Sequence, residues 1–321
     1  MSDTDIETDD LETPEPEEFE LPFTALAERL DKVLARLMPQ HSRSRLQAWI
    51  EEGHARINGR AARVRDKAGP GDRIQVWPQP APEAMAFVAE PIAFEVVAEG
   101  ADWIVVDKPA GLVTHPGAGN WHGTLLNGLL HRYPELARVA RAGIVHRLDK
   151  DTSGLLVVAR NETAQTHLVR QLQARSVRRE YLALVHGWPD AQGTVSLAIG
   201  RDARVPVRMS VQHPIAPKPA VTHYRTLRRG HAVEVQAPVA EVACRLETGR
   251  THQIRVHMAS LRHPLLGDTL YGGPALAGAA RQMLHARALG FEDPASGERL
   301  AFESEVPADF EAVRQAILWQ S

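Results

Sequence analysis

Hydrophobic residues follow a helical spacing in the first part of the chain, between residues 21 and 77. The stretch "ALAERLDKVLARLM" has leucines at intervals of three and four residues, which predicts an amphipathic helix. A second helix is expected to start at a cap formed by Ser42 or Ser44 and to end at Gly53. The stretches "ARING" and "DRIQVW" then predict short strands, the first running into an Asn58–Gly59 turn. This order predicts a small α+β unit.

The hydrophobic pattern changes at Ile92, where strand-like runs become frequent. Runs such as "DWIVVDKP", "GLLVVAR", "REYLALVHG" and "HAVEVQAP" are rich in β-branched residues, and helical stretches such as "GTLLNGLLHRY" lie between them. The chain lacks the regular strand–helix alternation of a doubly wound parallel fold. We therefore predict a second α+β domain over residues 92–321, with a mixed or antiparallel central sheet and peripheral helices. The proline-rich residues 78–91 are expected to form a linker.

Charge is unevenly distributed along the chain. Residues 1–20 contain ten acidic residues and no Lys or Arg, so we expect a disordered acidic tail. In the rest of the chain 37 Lys and Arg residues stand against 30 Asp and Glu, although the whole chain has a net charge of −3. A basic folded part favours a polyanionic partner. The single cysteine, Cys244, excludes an internal disulfide and fits a reducing, cytoplasmic environment, and the apolar runs are too short to span a membrane.

The segment "HRLDKDTSG", residues 146–154, is the first candidate for chemistry. "AGIVHRL" and "GLLVVAR" predict strands on either side of it, so both aspartates are expected in the connecting loop. Asp151 and the Thr-Ser-Gly that follows have the composition of an ordinary turn. Asp149 lies where the strand ends, between Arg147 and Lys150, whose charges favour an ionised carboxylate. Such a carboxylate is suited to act as a nucleophile or an electrostatic stabiliser.

Two further stretches carry candidate residues, and each also has a purely structural interpretation. "LETGRTHQIRVHM" predicts a helix capped by Thr251, with Arg250 at its start and Arg255 one turn on, which is equally the pattern of a solvated basic face. "RREYLALVHG" opens a strand with Tyr181, and such a tyrosine is more often part of a core. The chain has no Walker-type phosphate loop, no dinucleotide-binding fingerprint and no zinc-ligand spacing. We therefore expect neither a metal nor a cofactor.

The first unit resembles the RNA-binding module first described in ribosomal protein S-four. The resemblance covers residues 29–76 and is carried by "SRSRLQAWIEEGHARINGR". It implies that the basic edge of the second helix and the following turn bind RNA phosphates. The residues expected at that surface are Arg43, Arg45, Arg56, Asn58 and Arg60.

From Ile92 to the C-terminus, the chain resembles the RluA family of ribosomal large-subunit pseudouridine synthases. "DKPAGLVTHPG", "HRLDKDTSGLLVVAR", "REY" and "LETGRTHQIRVHM" match motifs of that family in the same order. The resemblance implies a pseudouridine synthase fold and an isomerisation that needs no cofactor. In that reaction uracil is cleaved from its ribose, turned and rejoined through carbon five.

The same resemblance implies a role for each candidate residue. Asp149 would be the catalytic carboxylate, either adding to the ring or ribose or removing a ribose proton. Arg250 would pair with Asp149, and Tyr181 would stack beside the base and help to remove the proton at carbon five. Ile254 would form an apolar wall, and Arg147 would bind the flipped nucleotide or fill the space that it leaves.

The target RNA is indicated by three other stretches. "HPGAGNWHGTLLNGLLHRYP", "KPAVTHYR" and "HPLLGDTLYGG" resemble the members of the family that modify a subunit-bridging stem-loop of 23S rRNA. The expected partner is therefore 23S rRNA or a precursor of the large ribosomal subunit, bound by a monomer. The alternatives are other uridines of 23S rRNA, phosphoryl transfer through an aspartyl-phosphate, and a non-catalytic role in RNA binding or ribosome assembly.

Overall fold

The chain divides into two units, Met1–Ala81 and Pro82–Ser321, and the computed structural model describes residues 15–79, 82–117 and 119–320 of them. The division falls within the stretch that was expected to be a linker. Each unit contains its own cluster of buried hydrophobic side chains. The two units are described in turn.

The first unit consists of two short helices and two small sheets. Its elements are β1 (Glu17–Glu20), β2 (Glu28–Arg29), α1 (Leu30–Leu37), α2 (Arg43–Glu51), β3 (Ala55–Ile57), β4 (Arg60–Ala61), β5 (Lys67–Ala68) and β6 (Arg73–Val76). Strands β1, β6, β3 and β4 form an antiparallel sheet in that order, and β2 pairs with β5. This is the small α+β unit that the hydrophobic pattern predicts.

Local signals in the sequence account for these elements. Ser42 caps α2 by accepting a hydrogen bond from the backbone N–H of Arg45, and Gly53 follows the helix with a positive φ of 86°. Asn58 and Gly59 both have positive φ, as a two-residue hairpin between β3 and β4 requires.

The disordered tail predicted over residues 1–20 ends sooner than expected. Its last four residues form β1, which pairs antiparallel with β6. Phe19 packs against the core of this unit, and Glu18 accepts hydrogen bonds from Arg73 and Gln75. The acidic residues are stable in a strand because β6 offers an open edge and a neighbouring cation. The part of the tail before residue 15 lies outside the described residues.

A buried carboxylate joins the two helices of the first unit. Asp31, in the first turn of α1, is fully buried, and its Oδ2 accepts hydrogen bonds from Nε and Nη2 of Arg43 (2.9 and 2.6 Å) and from Gln47 (2.6 Å). Arg29 donates to its other oxygen at 3.1 Å. Burial acts to raise the pKa of Asp31, but these donors outweigh it and hold the pKa at about 2. The ion pair therefore fixes α2 against α1.

The second unit is built around one large sheet. Its strands are β7 (Glu95–Glu99), β8 (Trp103–Lys108), β9 (Ser153–Ala159), β10 (Arg178–His186), β11 (Gln192–Ser196), β12 (Ile199–Asp202), β13 (Met209–Ser210), β14 (Pro214–Lys218), β15 (Val221–Ala232), β16 (Pro238–Leu246), β17 (Leu284–Glu292), β18 (Arg299–Glu303) and β19 (Ile317–Trp319). Its helices are α3 (Leu125–Arg132), α4 (Glu162–Gln173), α5 (Gln253–Ser260) and α6 (Ala308–Gln315). Short 3-10 helices lie at Pro82–Phe87, Pro134–Arg138, Ala140–Gly143 and Thr269–Tyr271.

The large sheet is mixed, as predicted. Its strand order is β11-β15-β16-β10-β17-β9-β8-β7, with β18 beside β17 and β19 beside β15. Strands β17 and β9 are parallel, and the other pairs are antiparallel. A separate small sheet has the order β13-β12-β14.

Helices cover both faces of the sheet around β8 and β9. Ile104 and Leu156 point to one face, where they pack with the leucines of α3. Trp103 and Leu155 point to the other face, where they pack with Leu168 of α4. Burial on both faces explains why these strands are continuous hydrophobic runs rather than alternating ones.

Two segments differ from the sequence prediction. The predicted linker contains the 3-10 helix Pro82–Phe87, and Asn127 of α3 anchors the residues after it by donating to the carbonyl of Val88 at 2.8 Å. The predicted strand "AGIVHRL" contributes only one isolated bridge, between Ile144 and Val158. Gly143 explains the irregular backbone, since its φ is 75° and a β-carbon there would lie 1.9 Å from the carbonyl oxygen of Ala159. None of the described helices is long and apolar enough to cross a membrane.

We expect Asp31→Asn to destabilise the first unit by about 2 kcal/mol at pH 7, from a folded-state pKa near 2 against 3.8. The folded pKa is lowered, so the stabilisation is present above about pH 4 and is lost as the pH falls toward 2. Hydrogen exchange of the α1 and α2 amides measures the effect. Glu51→Gln, at an exposed carboxylate of α2, is the control. Equal protection in the two variants would contradict the prediction.

Candidate active site

A cavity of about 580 Å³ lies in the second unit, beside the Asp149 loop and the start of α5. The residues that the sequence predicted for the second unit all line it: Arg147, Asp149, Tyr181, Arg250 and Ile254. Sheet register explains part of this convergence, because His285 of β17 lies between Ser153 of β9 on one side and Leu182 of β10 on the other. The Asp149 loop and Tyr181 are thus brought to the same level of the sheet.

A buried ammonium holds the Asp149 loop in place. Lys108, at the end of β8, is fully buried, and its Nζ donates to the carbonyl oxygens of Pro109, Leu112 and Lys150 at 2.8, 2.8 and 3.0 Å. Burial lowers the pKa of Lys108 to about 7, although nearby carboxylates act in the opposite direction. Only the charged amine has three protons to donate, so the ammonium form satisfies all three carbonyl groups.

Further backbone contacts fix the residues on either side of Asp149. The hydroxyl of Thr114 donates to the carbonyl oxygen of Leu148 at 2.7 Å, and the backbone N–H of Gly111 donates to the carbonyl oxygen of Lys150 at 2.9 Å. Gly154, at the start of β9, has a φ of 112°, and a β-carbon there would lie 2.3 Å from the carbonyl oxygen of Ala286. Glycine therefore permits β9 to approach β17 closely just after the loop.

The carboxylate of Asp149 is paired with Arg255. Nη1 of Arg255 donates to Oδ2 of Asp149 at 3.1 Å, while its Nε and Nη2 form a bidentate pair with Asp268 at 2.7 and 2.8 Å. The Arg255 and Asp268 side chains are 7% and 1% exposed, and that of Asp149 is 17% exposed. Burial acts to lower the pKa of Arg255, but its two carboxylate partners raise it above its ordinary value. The guanidinium therefore stays charged and fixed beside Asp149.

The prediction that Arg250 pairs with Asp149 is wrong. Arg250 lines the same cavity, but its side chain is exposed and its Nε donates to the carbonyl of Pro219 at 3.1 Å. The reason is the start of α5, which begins at Gln253 rather than at a Thr251 cap. The first turn of the helix then points Arg255 at the carboxylate. From the sequence, Arg255 was identified only as one of the cations on a basic face of the helix.

Tyr181 and Ile254 form buried walls of the cavity. Tyr181 is 6% exposed and Ile254 is 3% exposed. Burial raises the pKa of the Tyr181 phenol, and the negative charge of Asp149 adds to this effect. The tyrosine is therefore a neutral phenol near pH 7, suited to stack against a planar ring rather than to act as a phenolate.

Arg147 is exposed where it lines the cavity. The sequence did not single out two other basic residues of the lining, the buried Arg179 and the half-buried His146. Arg179 of β10 is 6% exposed, and its Nη2 donates to the carbonyl of Glu247 at 3.3 Å. Burial lowers the pKa of His146 to about 3, and its Nε2 accepts the backbone N–H of Val157. The cavity is therefore lined by fixed cations and a neutral imidazole. No sequence signal separated these residues from the other arginines and histidines.

The five residues predicted to bind RNA in the first unit fall into two groups. The guanidinium of Arg43 is hydrogen-bonded to Asp31. The side-chain amide of Asn58 holds the hairpin, because it donates to the carboxylate of Asp72 and accepts the backbone N–H of Arg73. These two side chains maintain the fold of the unit. The other three are Arg45, Arg56 and Arg60, which are exposed or half-buried.

The three cations differ in their neighbours. The guanidinium of Arg45 lies 5.6 Å from the ring of Trp49, and that of Arg56 lies 5.1 Å from the ring of Trp77. Arg60 contacts Asp66 at 3.3 Å with its side chain 71% exposed. The rings of Trp49 and Trp77 support the guanidinium groups of Arg45 and Arg56 through cation–π contacts.

Comparison with known proteins identifies the family of the chain. The RNA pseudouridylate synthase model matches residues 102–260, and the S4 domain model matches residues 28–74. The ribosomal large subunit pseudouridine synthase D of Neisseria meningitidis serogroup A is 48% identical over 300 residues, 90% of this chain and 78% of that protein. The chain belongs to the RNA pseudouridylate synthase family. The family resemblance and the S-four-like module predicted from the sequence are thereby confirmed.

Other members of the family give the same picture. The synthase D of Nitrosomonas europaea is 48% identical over 308 residues, covering 94% of this chain and 87% of that protein. Among solved structures, human RNA pseudouridylate synthase domain containing 1 covers 73% of this chain and 91% of its own, with 30% identity and a TM-score of 0.57. The pseudouridine synthase fold is therefore confirmed as well. Among the residues that the structure describes, no three His, Cys, Asp or Glu side chains cluster as a metal site would require.

We expect Arg255→Lys to lower kcat of this pseudouridine synthase at least about a hundredfold, because one ammonium cannot hold both carboxylates in a fixed geometry. Arg250→Lys is the matched control in the same segment, and its kcat should stay within about tenfold of the wild type. Single-turnover assays with saturating enzyme measure the rates. A larger loss in the Arg250 variant than in the Arg255 variant would contradict the assignment.

Proposed function

We propose that this protein converts specific uridines of 23S rRNA to pseudouridine in the stem-loop that bridges the ribosomal subunits. The observation that carries the proposal is the carboxylate of Asp149, held by Arg255 at a cavity with an aromatic and an aliphatic wall. The names of the similar proteins, ribosomal large subunit pseudouridine synthase D, support a large-subunit RNA as substrate.

The reaction requires an ionised carboxylate. The bond between C1′ and N1 of uridine breaks, the uracil turns, and a bond forms between C1′ and C5. The proton of C5 leaves and N1 takes up a proton, so the product is an isomer of uridine. Attack by Asp149 on the ring or sugar and removal of a ribose proton by Asp149 both need a free oxygen lone pair at the reacting atom. Arg255 places a positive charge beside this carboxylate and fixes its orientation.

The walls of the cavity suit a free uracil. The neutral phenol of Tyr181 stacks on the ring, and Ile254 bounds it with an apolar surface that excludes water. The raised pKa of Tyr181 keeps the phenol protonated, so the phenol does not itself accept the C5 proton. Its contribution to that step is to contact and orient the uracil ring. Turning the uracil needs this confinement, because the base is not attached to the sugar at that stage.

The target base reaches the cavity by leaving its stack. A uridine paired or stacked in a stem-loop has to be flipped out, at a cost of a few kcal/mol. Arg147, exposed where it lines the cavity, is placed to bind the flipped nucleotide or to fill the space that it leaves. Arg45, Arg56 and Arg60 of the first unit contribute affinity for the RNA backbone. In this proposal the protein acts as a monomer on ribosomal RNA in the cytoplasm.

We expect Asp149→Asn to abolish pseudouridine formation while RNA binding changes by less than about threefold, because an amide lacks the anionic lone pairs that the reaction uses. Asp151→Asn, the same substitution two residues along the same loop, should keep activity within about tenfold. Carbodiimide modification followed by primer extension on 23S rRNA detects the product, which has the same mass as uridine. Normal turnover by Asp149→Asn would refute the mechanism.

The same assay separates the alternatives. Modification confined to the bridging stem-loop supports the proposed target, and modification of other 23S rRNA uridines indicates a different specificity. Product formation in EDTA excludes a magnesium-dependent aspartyl-phosphate route. RNA binding without any product indicates a non-catalytic assembly factor.

We expect the triple variant of Arg45, Arg56 and Arg60 to alanine to bind the stem-loop at least about tenfold more weakly, with a shallower dependence on salt, because fewer phosphates are neutralised. Electrophoretic or fluorescence titration at several salt concentrations measures both quantities. Arg299→Ala, at an exposed position of β18, is the control for loss of surface charge. An unchanged affinity and salt slope in the triple variant would remove the RNA-binding role from these residues.

A further inference from the structure

His252 lies directly before α5 in a left-handed backbone conformation that residues with a β-carbon seldom adopt. Its φ is 55° and its ψ is 23°, in the left-handed region, and it makes no side-chain cap to the helix. This region is strained for residues with a β-carbon; Gly and Asn tolerate it best, and His is found there more often than most other residues. The position therefore indicates that contacts of the imidazole hold it there.

The imidazole of His252 lies between Asp149 and Tyr271. Its Nδ1 is 2.7 Å from the hydroxyl oxygen of Tyr271, and its Nε2 is 3.9 Å from Oδ1 of Asp149. Arg255 contacts the other oxygen, Oδ2, so each oxygen of the carboxylate faces a different basic side chain. The two rings meet edge to face with their centroids 5.6 Å apart.

Tyr271 is itself fixed on several sides. It is 6% exposed, and its hydroxyl oxygen accepts the backbone N–H of Met209, in β13, at 2.9 Å. The guanidinium groups of Arg208 and Arg255 lie 5.3 and 5.0 Å from its ring. Burial raises the pKa of Tyr271 to about 12, so the hydroxyl keeps its proton. Among the described residues, the partner of that proton is Nδ1 of His252.

These contacts select one tautomer of the imidazole. If Tyr271 donates to Nδ1, the proton of a neutral His252 is on Nε2, the nitrogen that faces Asp149. The charged groups that face the ring are Asp149, Arg255, Asp268 and Arg147. Burial lowers the pKa of His252 despite the two carboxylates, so the ring is neutral near pH 7 and the tautomer is defined.

We propose that His252 is a positioning residue for the reaction, donating its Nε2–H to Oδ1 of Asp149 while Arg255 holds Oδ2. The separation of 3.9 Å is longer than a hydrogen bond, and catalytic contacts commonly shorten when substrate displaces water. Two donors in different directions stop rotation of the carboxylate, which leaves its remaining lone pairs directed at the substrate. The proposal rests on the proposed role of Asp149 as the reacting carboxylate.

Two substitutions separate the two contacts of His252. The amide of His252→Asn occupies the position of Nδ1 and keeps the contact with Tyr271, but it cannot reach Asp149. The amide nitrogen of His252→Gln extends to the position of Nε2 and keeps a donor toward Asp149, but it gives up the contact with Tyr271. Asn suits the left-handed backbone better than Gln does, so His252→Asn should be the more stable variant. His252→Gln should be the more active one, because it keeps the donor toward Asp149.

We expect His252→Asn to lower kcat at least about tenfold with KM changed by less than about threefold, because a hydrogen bond to a charged group is lost. His252→Gln should retain kcat within about threefold of the wild type. Steady-state and single-turnover kinetics on the stem-loop RNA give the separate constants, and thermal unfolding gives the stability of each variant. Gln236→Asn controls for asparagine at positive φ, since Gln236 has a φ of 52° in the turn at the other end of β16 from the cavity.

The outcomes distinguish this inference from the proposed function. A His252→Asn variant that is as active as the wild type, or more active than His252→Gln, overturns the inference. If Asp149→Asn is inactive in the same experiment, the proposed function stands while the inference fails. If Asp149→Asn is active, the failure lies in the proposed function instead.

Tyr271→Phe tests the selection of the tautomer. Without the hydroxyl, the ring proton is free to move to Nδ1, and the donor toward Asp149 is lost in part of the molecules. We expect kcat of Tyr271→Phe to fall at least about threefold, and the double variant with His252→Asn to match His252→Asn alone, because the two residues act on Asp149 in series. Additive losses in the double variant would overturn the part assigned to Tyr271.

Discussion

The active site depends on one buried guanidinium, that of Arg255, between the carboxylates of Asp149 and Asp268. A buried cation of this kind is stable only when its donors are satisfied in good geometry, so the bidentate pair with Asp268 fixes the plane of the group. With the plane fixed, Nη1 is directed toward Asp149. The orientation of the proposed reacting carboxylate is thus set by the first turn of α5 and by Asp268 in the loop that follows the helix. Arg255 lies 106 positions beyond Asp149 in the chain.

The backbone around Asp149 is as strongly fixed as its carboxylate. The ammonium of Lys108 binds three carbonyl oxygens, one of them on the residue that follows Asp149, and Gly154 permits β9 to lie close against β17. Tyr181 reaches the same cavity from the start of β10, two strands away in the sheet. A sheet of fixed register therefore aligns residues from separate loops, which is what a reaction with a detached base requires.

Cations in this protein serve two purposes, and their bonding partners separate them. Arg43, Arg255 and Lys108 are bound to internal partners and maintain the structure around them. Arg45, Arg56 and Arg147 have no such commitment to a buried carboxylate among the described residues, and their charges remain available to a polyanion. The basic balance beyond the acidic tail is consequently not all available for RNA, since part of it neutralises buried carboxylates such as Asp31.

Local chemistry was readable from the sequence. The Ser42 cap, the Asn58–Gly59 turn, the mixed sheet and the family followed from short-range spacing and from motifs, because each depends on neighbouring residues. Asp149, Tyr181 and Ile254 were likewise identified by motif, and the structure brings them to one cavity. Tertiary structure alone decided which arginine meets Asp149, because Arg250 and Arg255 are equivalent in sequence until the first residue of α5 is known. The tertiary structure also decided that Arg43 is hydrogen-bonded to Asp31 and that part of the acidic tail forms a strand. Both features depend on partners that lie far away in the chain, and no local sequence pattern shows that these partners are buried or paired.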